Sequence, residues 1–452
     1  MFQKVLIANR GEIAVRIIRA CKQMNIQTVA IYSEADKDSL HVQIADEAVC
    51  VGGAKSSDSY LHMENIISAA VGTHAEAIHP GFGFLSENAE FSDLCQTVGL
   101  HFIGPSGDVI RKMGNKSEAR LTMINANVPV VPGSDGIIES YEHLIKLADE
   151  IGYPVLIKAS SGGGGKGMRV VRNLNELKNG YETAKTEAKN AFLDDAVYLE
   201  KFVENPKHIE IQVLADKYGN VIHLGERDCS IQRRNQKVIE ESPALISEDL
   251  RNSMTTAAVK ATRAVSYENA GTIEFLVKDD AFYFIEMNTR IQVEHPITEM
   301  VTGVDLIKEQ IRIASGETLG FAQDDLTFRG HAIECRINAE DPDNNYMPSP
   351  GPVNLLHVPN GFGIRFDSFL YAGYSVSPFY DSLVGKLIVH DVNREQAILK
   401  MKAALEELVI KGFKHNRRFC KNIIKHPKYI DGQFNTSFIA EYIHELVGDF
   451  NE

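Results

Sequence analysis

The chain has 452 residues, too many for one ordinary hydrophobic core, and reads as two to four domains. Its 44% hydrophobic and 24% charged content is that of a soluble globular protein, and a net charge of −14 argues against a nucleic-acid or membrane-surface partner. Six cysteines without C-x-x-C spacing indicate neither a disulfide framework nor a zinc site; a reducing cytoplasm fits.

The N-terminal Met-Phe-Gln-Lys has no basic leader or cleavage signal, and no later run approaches the roughly 18 apolar residues of a membrane span. We therefore expect an untargeted soluble protein. Lys4-Val-Leu-Ile-Ala8 reads as a buried strand. A helix opening at Gly11 follows, with Ile13, Ala14, Ile17, Ile18 and Cys21 on one face, then a strand over Thr28–Tyr32. This βαβ unit ends in Glu34 and Asp36, as a dinucleotide site would, but the turn Asn9-Arg10-Gly11-Glu12 has one glycine where the fingerprint has three. The reading is a structural Rossmann-like unit and not an NAD site.

The loop from His79 to Asn88 reads as a tight strand-to-helix turn with Ser86 as N-cap, although its place at a strand's carboxyl end leaves a ligand role open. Residues 106–127 read as one helix with Lys116 near its midpoint, closed by the stiff Val128-Pro-Val-Val-Pro-Gly133. Next, Pro154-Val-Leu-Ile157 leads into Lys158-Ala-Ser-Ser-Gly-Gly-Gly-Gly-Lys166-Gly-Met-Arg169. Four consecutive glycines are costly to order and bare their N–H groups, which suits phosphate. The run matches neither the dinucleotide fingerprint nor the P-loop, however, since Gly167 follows Lys166 where Ser or Thr is needed. A phosphate-covering loop and a plain surface loop both remain open on these residues.

Val197–Val203 reads as a strand, and His208-Ile-Glu210-Ile-Gln212-Val alternates as a half-buried strand would. Arg227, Arg233, Arg234 and Lys237 form a basic cluster, either a solvated face or an anion site. Cys229 beside Lys237 lacks the partner spacing of a thiol nucleophile. Residues 274–288 read as a β-hairpin turning near Asp280. That register sets Glu274 across from Glu286, with Asn288 two residues on along the same face. Opposed carboxylates repel unless a hard cation joins them, so the hairpin is a Mg²⁺ candidate, against the plainer reading of an exposed acidic face. If the strand continues, Glu286, Asn288, Arg290, Gln292 and Glu294 make a polar comb, and His295 points away and is structural. From about residue 330 come a strand, a Pro-rich bend at 347–352, and helices near 393–410 and 435–447.

The glycine loop, Glu200-Lys-Phe-Val203 and the hairpin together resemble an ATP-grasp enzyme. Asn9–Ala14, His79–Asn88, Gly162–Met168, Phe284–His295 and Glu334–Glu340 are similar to the biotin carboxylase subunit of bacterial acetyl-CoA carboxylase, with the likeness running to about residue 446. The resemblance implies an α/β and α+β multidomain fold: a Rossmann-like domain over 1–112, an ATP-grasp domain over 113–330 with a mobile glycine-rich lid at about 131–203, and a C-terminal α+β domain over 331–446. It implies ATP contacts from Lys116, Lys158, Gly164, Gly165, Lys166, Glu200, Lys201, Phe202, Val203, His208 and Gln232. Asn235 stands where relatives often have histidine near the ribose; asparagine keeps a hydrogen bond but not the titratable ring. Mg²⁺ (or Mn²⁺) falls to Glu274, Glu286 and Asn288, bicarbonate to Lys237, Arg290, Gln292 and the Val293 amide. Glu294 is the implied general base, and Arg336 meets the ureido oxygen of biotin.

The implied reaction is ATP-dependent carboxylation of biotin through carboxyphosphate, the first half-reaction of acetyl-CoA carboxylase in fatty acid synthesis. Lys400-Met-Lys402-Ala lies in an amphipathic helix and is not read as a biotin-bearing site, so a separate biotin carboxyl carrier protein is expected; the resemblance further implies separate carboxyltransferase subunits and a homodimer. The alternative is another ATP-grasp carboxylate ligase, which need not respond to bicarbonate or biotin. A nucleotide sensor without turnover is a third reading, opposed by a base placed beside the phosphate site.

Overall fold

The computed structural model describes residues 1–160 and 167–447. Strands β1 (Lys4–Ile7), β2 (Gln27–Ser33), β3 (Glu47–Gly52), β4 (Ala77–His79) and β5 (His101–Phe102) form a parallel sheet in the order β3-β2-β1-β4-β5. Val5, Leu6 and Ile7 are wholly buried, as a parallel strand between helical layers must be. The helix Gly11–Gln23 packs Ile13, Ala14, Ile17, Ile18 and Cys21 against it, on the face that their spacing predicts. Strand β3 escaped the sequence reading because it is an edge whose Glu47, Ala48 and Cys50 are exposed, leaving no apolar alternation. Asp36, the acid a dinucleotide ribose would need, is already held by Arg10 Nε (2.6 Å) and Tyr60 OH (2.6 Å).

The single helix expected over 106–127 is two, Gly107–Gly114 and Lys116–Asn125. Asn115 is extended (φ −87°, ψ 107°), and its side chain accepts the Glu118 N–H at 3.1 Å, capping the second helix. Lys116 therefore opens a helix, and its own N–H donates to Ser160 O (3.1 Å).

Strands β6 (Val155–Ala159), β7 (Met168–Val171) and β8 (Val197–Lys201) make a small antiparallel sheet, order β7-β6-β8. Helices Tyr141–Ile151 and Leu174–Phe192 close over it around a core of its own, including Leu144, Ile157, Leu177 and Leu199. Val128–Gly133 ties this unit to the rest: Pro129 O accepts the Phe284 N–H and Pro132 O the Lys201 N–H, both at 2.7 Å. A Cβ on Gly133 would stand 2.3 Å from Leu199 O, so glycine alone lets the two backbones pass.

The large sheet is antiparallel and eight-stranded. It contains β9 (Lys207–Ala215), β10 (Val221–Arg233), β11 (Gln236–Ser242), β12 (Asn269–Lys278), β13 (Ala281–Asn288) and β14 (His331–Asn338). The order is β13-β12-β9-β10-β11-β14, then Leu383–Asp391, then Ile364–Ser368. Because β11 pairs with β14, hydrogen bonding runs unbroken across residue 330. Glu274 does stand opposite Glu286, but through a register shift: the turn Asp279-Asp280, with φ of 48° and 63°, pairs Phe275 with Phe284, and an irregularity between Phe275 and Glu274 then brings Glu274 to Glu286 and not to Ile285.

Two expectations about this sheet fail. Strand β9 is not half-buried: Glu210 and Gln212 are as enclosed as Ile209 and Ile211, because Arg227 and the helix His295–Thr302 supply polar partners to that face. The polar comb is not a strand either. β13 ends at Asn288, and Glu294 is the N-cap of the helix His295–Thr302, with Pro296 in its first turn. Among the described residues no helix is long and apolar enough to cross a membrane.

Candidate active site

A cleft of about 1180 Å³ is lined by the Asn9–Ile13 and Phe82–Phe84 loops, the small three-stranded unit, and the polar face of the large sheet. Every described ATP, metal and bicarbonate candidate named from the sequence lines it; Gly164, Gly165 and Lys166 lie outside the described residues. At one end Lys116 donates to Glu286 Oε2 (3.1 Å), and that carboxylate, against the opposing effect of burial, holds the ammonium above its ordinary pKa. Lys158, on β6, donates to Glu200 Oε2 (2.5 Å) on β8, while Arg120 reaches Glu200 Oε1 at 3.5 Å. Lys201 turns its ammonium to the carbonyls of Gly152 and Tyr153, and the N–H groups of Lys201 and Phe202 are already donated. Glu200, Lys201, Phe202 and Val203 all line the cleft.

The centre is Lys237. Its Nζ meets Glu210 Oε2 (2.5 Å), Glu294 Oε1 (2.7 Å) and Glu274 Oε1 (2.9 Å). Burial opposes the charge, but three carboxylates outweigh it and the ammonium stays protonated well above its ordinary range. Each carboxylate has a further anchor. Arg227 Nε holds Glu210 Oε1 (2.6 Å), and both side chains are fully buried. Asn288 Nδ2 (2.8 Å) and Gln292 Nε2 (3.0 Å) donate to Glu274 Oε1, and His208 Nε2 lies 2.9 Å from Oε2. Gln232 meets His208 Nδ1 at 2.6 Å. Burial disfavours an imidazolium there, yet Glu274 prevails and raises the His208 pKa.

Glu294 is held between Lys237 and Arg336, whose Nη2 donates to Oε2 at 3.0 Å. Burial pushes this carboxyl up, and Lys237, Arg336 and Arg227 together bring it well below the usual range. Arg336 is aimed from behind by Glu240, at 2.6 Å. Arg290 is braced by Glu87 (2.9 Å), Gln292 Oε1 (2.8 Å) and Asn288 Oδ1 (3.0 Å).

Sequence reading did not single out Glu87, Glu210 or Glu240 as partners of the basic groups. Glu240 carried a usable signal, a charge beside the apolar pair Val238-Ile239. The proposed basic cluster disperses: Arg233 pairs with Glu340 (2.9 Å) over the Tyr346 ring, Arg234 reaches Asn345 (3.2 Å), and only Arg227 and Lys237 serve the cleft centre. Cys229 lies buried 3.8 Å from Glu294, and burial with Glu210 raises its thiol well above the ordinary value, which disfavours a thiolate.

The hairpin suits a hard divalent cation. Glu274 and Glu286 are paired across the hairpin and offer carboxylate oxygens, Asn288 adds an amide oxygen, and Lys116 and Lys158 line the same cleft. Among the described residues Glu286 has Lys116 alone as a partner, which leaves it the freer ligand. The set His208, Glu210 and Glu274 also converges, but Lys237 already fills that space. Two lysines, hard oxygen ligands and the cations Lys237, Arg290 and Arg336 thus lie along one cleft, with the buried Glu294 carboxylate behind Lys237 and Arg336, an arrangement able to bring a small oxyanion to a nucleotide phosphate.

Three family models match along the chain: "Biotin carboxylase, N-terminal domain" over residues 1–110, "Carbamoyl-phosphate synthase L chain, ATP binding domain" over 115–322, and "Biotin carboxylase C-terminal domain" over 334–441. Biotin carboxylase 1 of Bacillus subtilis is 57% identical over 98% of this chain and 99% of its own. The biotin carboxylase domain dimer of Hydrogenobacter thermophilus 2-oxoglutarate carboxylase, solved with MgADP, ADP and bicarbonate, superposes with a TM-score of 0.96 at 52% identity, covering 100% of both chains. Campylobacter jejuni biotin carboxylase, in a β-γ-ATP complex, gives 0.95 at 49% identity over 98% of this chain and 99% of that one. Identity at this level over nearly the whole length, on the same three-part fold, establishes that the chain belongs to the biotin carboxylase family.

Proposed function

We propose that this chain carboxylates N1′ of biotin, borne on a biotin carboxyl carrier protein, using ATP and bicarbonate. The observation that supports this most is Glu294 held between Lys237 and Arg336: a buried carboxylate placed directly behind two cations that line the cleft. Lys116 and Lys158 bind the ATP phosphates, with Gly164, Gly165 and Lys166 assigned to cover them. Glu200, Lys201, Phe202 and Val203 border the base, and His208, Gln232 and Asn235 the sugar side. Glu274, Glu286 and Asn288 would hold Mg²⁺ or Mn²⁺, which when bound offsets phosphate charge and orients the γ-phosphate.

Bicarbonate enters between Lys237, Arg290, Gln292 and the Val293 N–H. It weakens the hold of Lys237 on Glu294, so the carboxylate becomes a better base and takes the bicarbonate proton. A bicarbonate oxygen bonds to the γ-phosphorus as the bond to ADP breaks. The resulting carboxyphosphate splits into CO₂ and phosphate; phosphate accepts the N1′ proton, and N1′ bonds to CO₂. Arg336 stabilises the negative ureido oxygen, released for that task when Glu294 is protonated. Water must be kept out, since it destroys carboxyphosphate.

These roles divide the chain as 1–112, 113–330 with a lid at about 131–203, and 331–446; the separate core of the small unit supports its moving as a body. The dimeric Hydrogenobacter structure supports a homodimer. Separate carboxyltransferase subunits, acetyl-CoA as the downstream acceptor, and a cytoplasmic setting complete the reading. Purified protein should hydrolyse ATP only with Mg²⁺ and bicarbonate, faster with free biotin. Equal turnover with bicarbonate rigorously removed contradicts this and favours another ATP-grasp carboxylate ligase.

A further inference from the structure

Between the hairpin and the helix His295–Thr302, the turn Gln292-Val293-Glu294 is fastened from behind by two buried side chains. His295 Nδ1 is 2.7 Å from Gln292 O, and Lys386 Nζ is 2.7 Å from Val293 O. Both side chains are fully buried, on different elements: His295 opens a helix, and Lys386 sits on the strand Leu383–Asp391 across from Arg336. Lys386 is paired in turn with Glu12 of the helix Gly11–Gln23, at 3.1 Å. These contacts tie the first unit of the fold to the turn that carries the base.

Their geometric effect follows from peptide planarity. Gln292 C=O and Val293 N–H belong to one trans peptide and point in opposite directions, as do Val293 C=O and Glu294 N–H in the next. Fixing two consecutive carbonyls fixes both planes flanking the Val293 Cα, and with them its φ and ψ. With Gln292 O drawn back toward His295, the Val293 N–H is turned the other way. Val293 lines the cleft, and among the described residues its N–H donates to no other group.

We propose that His295 and Lys386 are positioning residues for bicarbonate, holding the Val293 N–H and the Glu294 side chain toward the anion; this rests on the functional reading above. A carbonyl only accepts, so Nδ1 bears the imidazole proton. Burial, then Lys386, Arg16 and Arg365, keep His295 neutral well below its ordinary pKa, so this donor persists through the working pH range. A group that only filled space would need neither the donor nor its orientation.

The test is the Michaelis constant for bicarbonate set against that for ATP in the full chain. His295→Leu keeps bulk and loses the donor; it should raise the bicarbonate KM about tenfold or more with the ATP KM held within about twofold. His295→Asn, which offers a side-chain N–H near the Nδ1 position, should restore the bicarbonate KM to within about threefold of wild type. A folded leucine variant with an unchanged bicarbonate KM, or with both constants raised together, overturns the proposal. If the leucine variant does not fold, the paired change Glu12→Gln with Lys386→Met, which removes both buried charges, decides it. A selective rise in the bicarbonate KM supports the proposal and an unchanged one refutes it. Wild-type hydrolysis that ignores bicarbonate would instead overturn the functional reading, before any variant is compared.

Discussion

Glu294 carries the sharpest demand on a single residue. Lys237, Arg336 and Arg227 hold its carboxyl well below the usual range, so at rest it is a poor base, and in the proposed mechanism bicarbonate must loosen the Lys237 and Arg336 contacts before a proton can move. Glu294→Ala should lower kcat by about 10² to 10⁴ while ATP binding, followed by nucleotide titration, is retained. Unchanged turnover would remove Glu294 from the chemistry. Glu240, behind Arg336, is held the other way: burial raises its pKa from 4.5 to about 7, with Arg336 offsetting part of the effect. The folded protein then keeps a proton that the unfolded chain releases between those values. Its contribution to stability is fully present below the unfolded value and lost as pH rises through about 7. Glu240→Gln should flatten the fall of Tm from about pH 5 to about pH 8, and a slope identical to wild type would contradict the assignment.

At the scale of elements, the active face is a set of strands whose polar residues are enclosed and mutually satisfied. Arg227 shows how much depends on that: from β10 it serves Glu210, Gln212, Thr272 and Thr298 at 2.6 to 3.1 Å with no exposure. Arg227→Met leaves Glu210 a buried carboxylate with only Lys237, and should cost about 3–5 kcal/mol in denaturant unfolding. A loss below about 1 kcal/mol would show that the network relaxes. The elements the sequence made legible were those with strong local grammar. The first βαβ unit followed from apolar spacing, and the hairpin from its turn residues, although the pairing of Glu274 with Glu286 also needs a register shift beside Phe275 that the turn alone does not give. Long-range partners were not legible. Asn115 broke a periodic helix through its own cap, β9 read as half-buried because its covering arginine lies on another strand, and the comb after β13 turned into a helix cap. The motif resemblance named residues that the fold gathers along one cleft; the carboxylates that aim them came only with the fold.

At the scale of the whole molecule, the cleft is assembled from every part of the chain. The first unit supplies Glu87 to Arg290 and Glu12 to Lys386, the small unit supplies Lys158 and Glu200, and the far end of the large sheet supplies Arg336. Such a site gains from enclosure, because its central intermediate does not survive water. The central claim is that a bicarbonate oxygen attacks the γ-phosphate. The most direct measurement is isotope transfer: ¹⁸O-labelled bicarbonate is supplied with ATP and biotin in unlabelled water, and the released phosphate is analysed by mass spectrometry. The account predicts one bicarbonate oxygen in each phosphate formed. Phosphate that carries no label, while biotin is carboxylated at full rate, would contradict it.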